Sequence, residues 1–250
     1  MSYLKYINDE RINIARGLVR DTTFEHKFGA VPAMSIGVTG TVWDKSDTLY
    51  PWSAFNTSNT ASIATTLANG STSTLDNGKE VTFYGLDNDY NIQTETVTIS
   101  GSTATTTKSW KRLYRATING GTNSTQIRTS VNSTEVLRIT IGTAQTLMAI
   151  YTVPAGYTAY LTQGTMSIQA SGDATGDMFV RYFGTTAFRV GHSFEVAGTG
   201  GQYMYNFSVP LAIPEKSDID IRAAVRSNNS RVTAAFDMIL HKDTGNGLRA

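Results

Sequence analysis

The feature that most constrains this chain is a period-two alternation of apolar and polar residues, broken at short intervals by turn-forming clusters. Glu80-Val-Thr-Phe-Tyr-Gly-Leu-Asp87 alternates, and so does Asn91-Ile-Gln-Thr-Glu-Thr-Val-Thr-Ile99. Asn88-Asp-Tyr90 lies between them, so the pair reads as a β-hairpin. Side chains two apart share one face of a strand, and a sheet with one buried face calls for that pattern. Further strands are predicted over 33–42, 61–67, 111–118 and 136–141. A second block reads as strands over 146–153, 158–169, 176–183, 201–209, 218–224 and 232–240. Clusters such as Asn69-Gly-Ser71, Asn119-Gly-Gly-Thr122 and Pro154-Ala-Gly156 separate the runs. In such turns Pro supplies a fixed φ and Gly a free one. No long helical pattern intervenes, which argues against a parallel βαβ architecture.

The expected fold is all-β: two consecutive antiparallel β-sandwich, jelly-roll-like domains with a short N-terminal arm or helix. The expected divisions are an arm at 1–23, sandwiches at 24–142 and 143–242, and a polar tail at 243–250. Each block has the size of one sandwich. Residues 1–20 read differently from the rest. Leu4, Ile7, Ile14 and Leu18 fall at spacings that fit one face of a short helix, with Gly17 weakening its end. Six charged side chains cluster between Lys5 and Arg20. A lone segment of this kind is marginal in isolation, so these four apolar residues are expected to anchor it on its own domain or on a neighbouring subunit.

Charged residues make up 16% of the chain, against roughly 25% in an average soluble protein. Thr, Ser, Asn and Gly take their place, and uncharged polar surface suits permanent contacts because few ions must be desolvated. With 21 basic and 20 acidic residues the net charge is +1, which gives no global field for nucleic acid or an anionic membrane. Cys is absent, so there is no disulfide or thiolate chemistry. Apolar runs such as 147–151 are far short of a membrane span, and the first twenty residues hold no uninterrupted apolar core. Synthesis in the cytoplasm without a secretion signal is the expectation.

Candidate chemistry is sparse. His26, His192 and His241 stand near different segment ends with no metal-ligand spacing. Asp87-Asn-Asp-Tyr-Asn91 has oxygen ligands at alternate positions, but Ile92 and Thr98 stand where a calcium loop needs Gly and Glu. Glu80, Asp87 and Glu95 are generic carboxylates on strand faces. Lys108-Ser-Trp-Lys-Arg-Leu-Tyr-Arg115 interleaves basic and aromatic residues, which on a strand puts Trp110, Leu113 or Tyr114 inward and the charges outward. Trp52, Tyr203 and Tyr205 are the candidate interface or glycan aromatics, since sugars stack on rings and both residue types favour interfaces. No catalytic residue, metal ligand or cofactor is assigned, and the expectation is a non-enzymatic protein.

The order of segments carries a resemblance. It runs His26-Lys-Phe-Gly29, Tyr50-Pro-Trp52, Val81-Thr-Phe-Tyr-Gly-Leu-Asp87, Glu95-Thr-Val-Thr98 and Arg112-Leu-Tyr-Arg115. Then follow Ile150-Tyr-Thr-Val-Pro-Ala-Gly156, Thr158-Ala-Tyr-Leu161, Ile213-Pro-Glu-Lys-Ser-Asp-Ile219 and Phe236-Asp-Met-Ile-Leu240. Over residues 24 to 242 this resembles a family of virion structural proteins of marine, cyanophage-like tailed bacteriophages. The resemblance implies a virion component made in the host cytoplasm and carries over no catalytic residue. Within a virion, the expectation is a capsid decoration or cement protein that binds and stabilises the head surface. Its expected partners are other virion proteins, the major capsid protein first, and further copies of itself, a trimer being favoured. The alternatives are a neck, tail or fibre protein with host-glycan binding, and a glycan-active enzyme needing two facing carboxyl groups about 5–10 Å apart.

Overall fold

The computed structural model describes residues 9–55, 60–67, 70–169, 172–198 and 200–243. A short helix, α1 (Glu10–Ala15), precedes the strands. The strands before residue 142 are β1 (Thr22–Met34), β2 (Thr39–Thr41), β3 (Ser62–Thr66), β4 (Glu80–Leu86), β5 (Ile92–Thr98), β6 (Thr103–Thr105), β7 (Arg112–Asn119), β8 (Gln126–Val131) and β9 (Thr134–Ile139). Those after it are β10 (Ile150–Thr152), β11 (Tyr157–Gln169), β12 (Ala174–Arg181), β13 (Arg189–Val196), β14 (Gln202–Ile213), β15 (Asp218–Val225) and β16 (Ser230–Lys242). The fold is all-β, built from small antiparallel sheets.

Four sheets form. One has the order β1-β16-β11-β14, and a second has β10-β15-β12-β13 with β2 added on β15. The other two are β6-β3-β8-β9 and β5-β4-β7. The hairpin read from alternation is β4 and β5, paired in register from Glu80↔Thr98 to Leu86↔Ile92. Its turn is fastened by Asp87, whose carboxylate accepts the backbone N–H groups of Asp89 and Asn91. That is a side-chain turn cap.

The sheets do not keep to the expected boundary near 142. β1 pairs with β16 from Thr22↔His241 to Val31↔Val232, and β2 pairs with β15. The physical reason lies in β16, whose inward residues Val232, Ala234, Phe236, Met238 and Leu240 are all buried. An apolar strand of this length left at a sheet edge is an aggregation template, and β1 covers it. The predicted strand over 33–42 is correspondingly split, because the chain turns between Met34 and Thr39. Gly29 is required where β1 passes the hydrogen bond between Val42 and Ala149, since a Cβ there would lie 2.2 Å from the Val42 carbonyl oxygen.

The first two sheets face each other. Gly164 of β11 lies against the Phe194 ring of β13, and Phe194 is fully buried. One continuous apolar core runs through all four sheets, from Val81, Phe83, Ile127 and Leu137 to Met166, Ile221 and Phe236. Trp43, Trp110 and Tyr151 are its largest fully buried side chains. Trp110, Leu113 and Tyr114 face inward as expected, but Arg112 between them is buried too. A β-bulge explains it: the register of β7 shifts between Tyr84 and Gly85 of β4, so the alternation is lost over 112–114.

Candidate functional site

Strands β13 and β14 are the end strands of the two facing sheets and form one flank of the molecule. β14 is 12 residues long and carries no charged side chain. It pairs only with β11, so the other row of its backbone groups meets no strand among the described residues. Gly164 pairs with Tyr205 and leaves room for aromatic rings between the sheets. His192 of β13 stacks on Tyr205 at 4.3 Å and meets Phe194, Phe207 and Tyr203 at 5.0, 5.7 and 5.9 Å. Desolvation lowers the His192 pKa and so favours the uncharged ring. Its Nε2 is buried and has no hydrogen-bond partner among the described residues. Outside the cluster, Val209 is 79% and Met204 57% exposed, and Val190 of β13 is 54% exposed. Of the candidate aromatics, Tyr203 is half-buried and Tyr205 is 38% exposed, and both stand in this cluster.

The predicted anchor residues are only partly brought together. Leu4 and Ile7 lie outside the described residues. Ile14 is buried, and with Ala15, Phe24 and Ile239 it lines a groove of about 630 Å³ between α1 and the outer face of the β1-β16-β11-β14 sheet. Leu18 is 62% exposed and does not share that face. The helix is too short to reach it: Asp9 caps α1 by accepting from Arg11 and Ile12, and Gly17 at φ +68° reverses the chain. The described part of the arm thus docks on its own sheet. His26 and Asp237 form a 2.5 Å contact on the same face.

Trp52 is placed elsewhere. It is 6% exposed, and its indole N–H donates to Asp220 at 3.2 Å. Arg112 and Arg181 each lie 5.4 Å from its ring. The ring belongs to a buried polar junction that sequence reading missed. Asp218 accepts from Arg112 Nε at 2.9 Å, from Arg181 Nε at 3.0 Å and from the Thr152 hydroxyl at 2.6 Å. Burial opposes the Arg112 charge, but the Asp218 carboxylate outweighs it and holds the guanidinium pKa above its ordinary value. Asp220 accepts from Thr41, Trp52 and Arg222, and burial still raises its pKa. Lys27 is buried, donates to the Tyr114 carbonyl at 2.8 Å and has its pKa lowered by desolvation to about 8. The Tyr50 hydroxyl donates to the Leu113 carbonyl. These bonds tie β7 to strands of the facing sheets and satisfy groups that would be costly to bury alone.

Four more carboxylates are likewise engaged. Glu95 accepts from Thr107 and Lys108, and Glu80 accepts from Asn119. Buried Asp76 accepts from Ser124, Thr125 and Lys79; burial alone would raise its pKa, yet those bonds bring it below the ordinary value. Asp44 accepts from the Leu147 N–H and the Thr140 hydroxyl, but burial dominates and pushes it up to about 8.

No protein family matches the chain, and no curated protein does. Solved structures give distant superpositions. A chain of the cowpea mosaic virus top component, naturally occurring empty particles, is 10% identical over 72% of this chain and 82% of that one, with a TM-score of 0.22. A broad bean stain virus chain is 10% identical over 76% and 87%, also at 0.22. An infectious bursal disease virus chain, Gx strain, is 12% identical over 90% and 73%, again at 0.22. A score at this level is short of a common fold.

Proposed function

We propose that the chain is a non-catalytic structural component of a tailed-phage virion, a capsid decoration or cement protein that binds and stabilises the head surface. The observation that carries this reading is the β13–β14 flank, where a 12-residue uncharged edge strand stands beside an aromatic cluster with an unsatisfied imidazole nitrogen. Edge strands of monomers are normally blunted by charge, yet here Pro210 is the sole interruption. Further copies of the same chain are the occupants of this flank, because a neutral partner strand brings no ion to desolvate. A trimer, in which β14 of each copy meets the β13 side of the next, closes into a ring. Two β-sandwich, jelly-roll-like bodies then form its outer mass, and many weak contacts repeated by symmetry give firm attachment. The segment resemblance supports the virion setting, with the major capsid protein as principal partner. The test is mass measurement of the purified protein by light scattering, followed by addition to expanded capsids lacking it. A trimer that binds and stabilises those capsids is expected; a stable monomer that leaves them bare sinks the reading.

A neck, tail or fibre position is the second reading. The half-exposed Tyr205 ring beside Met204 favours it, since such a ring can receive a host sugar. Locating the chain in a map of the particle separates the two positions.

A further inference from the structure

A cavity of about 390 Å³ opens above the buried junction, at the end of the molecule where several loops meet. Four cationic side chains line it: Lys111, Arg112, Arg181 and Lys216. The carboxylate among its lining residues is that of Asp218, and both of its oxygens already accept from Arg112 and Arg181. Lys111 and Lys216 form no ion pair among the described residues. In a chain with a net charge of +1 and few charges in all, such a concentration of one sign is a local field aimed into a concave space.

The rim is aromatic. Phe183 is 59% exposed, Tyr90 meets it edge-on at 5.7 Å, and Lys216 lies 5.2 Å from its ring. Tyr182 continues the wall, and the Thr185 hydroxyl donates to its carbonyl and fixes the loop. Two lining residues hold left-handed backbone, Tyr90 at φ +66° and Lys216 at φ +60°. Residues without Gly's freedom adopt that region only when the surroundings enforce it, and such strain gathers at binding sites. Here both are held by the tight turn that Pro154 begins: Ala155 N–H donates to the Tyr90 carbonyl, and Lys216 N–H donates to Val153. The backbone at Tyr90 and Lys216 is therefore fixed before any ligand arrives.

We propose that this cavity binds an acidic sugar unit, one bearing a carboxylate or a sulfate. Lys111 and Lys216 take the anionic group, Arg181 adds its field from the floor, and the open face of Phe183 stacks on the pyranose ring. The volume lies at the small end of ligand pockets, which fits a monosaccharide or a terminal unit of a chain. The inference is independent of where the protein sits in a particle and of whether its copies associate.

The test presents the purified full-length protein with carboxylated oligosaccharides, sulfated oligosaccharides and their neutral parents, together with inorganic phosphate and a polyglutamate peptide. Acidic oligosaccharides are expected to bind in low salt, to weaken as salt rises, and to exceed their neutral parents by about ten-fold or more. The double variant Lys111→Gln/Lys216→Gln, with an unchanged melting curve, loses that preference. Phe183→Ala weakens sugar binding while leaving the salt dependence in place. Equal binding of neutral parents, preference for polyglutamate or free phosphate, or no acidic sugar bound at millimolar concentration overturns the proposal.

Discussion

The buried junction and the β13–β14 flank distribute charge in opposite ways. Among the described residues six charged side chains are buried: Lys27, Asp44, Asp76, Arg112, Asp218 and Asp220. The 12 residues of β14, mostly exposed, carry none. Ordinary soluble proteins keep charge at the surface and apolar residues within. The inversion teaches what each kind of group is suited to. Inside, a carboxylate between two guanidiniums adds little net stability over apolar packing, but its bond directions fix how β7 meets β12 and β15. Outside, neutrality lets a strand edge associate without stripping water from ions.

Breaking the junction gives the largest expected effect. Asp218→Ala leaves Arg112 and Arg181 without their counterion and is expected to cost about 3–5 kcal/mol in denaturant unfolding. The triple change Arg112→Met/Arg181→Met/Asp218→Leu sharpens the point, because with no orphan charge it loses less than the single variant. Asp44 comes next. Its folded pKa of about 8 stands above the ordinary 3.8, so its stabilising proton is lost as pH rises through that interval. Asp44→Asn is expected to flatten a decline on the order of a few kcal/mol between pH 4 and 8 in melting curves. Lys27 acts in the other window. Its folded pKa of about 8 lies below 10.5, so stability rises between those values, where the folded chain has lost the proton and the unfolded chain still holds it. Lys27→Met removes that rise, a smaller change than at Asp44. Smallest of all is the effect of Met204→Lys/Val209→Lys on stability, within about 0.5 kcal/mol. The same pair is expected to abolish self-association in light scattering, and an unchanged oligomer would erase the distinction between the two regions.

The hairpin at Glu80–Thr98 was legible because alternation and turn chemistry agree there. Tyr203 and Tyr205 stood out in the sequence as an aromatic-rich segment, and the structure sets both rings beside His192. β1 was not, because Gly29, Pro32 and the buried Lys27 interrupt its pattern. β13 was overlooked, since an exposed edge strand shows little alternation. The bulge at Tyr114 hid the burial of Arg112. The sequence left Trp52 open as a core, interface or glycan aromatic, because such a residue reads alike whether it faces solvent or two arginines. Those arginines stand 60 and 129 positions further along the chain, and no local pattern joins such distances.

The pairing of β1 with β16 has a consequence in time. Its ladder joins Thr22 to His241, and Lys242 N–H donates to the Asp21 carbonyl at 2.7 Å. Contacts of such separation form late, because the closure entropy of a long loop opposes them until both ends are present. A growing chain can zip β11 to β14 early, but the sheet behind that edge stays open until β16 has left the ribosome. The emergence of β16 thus acts as a clock, because only then can β1 close the far side of the sheet.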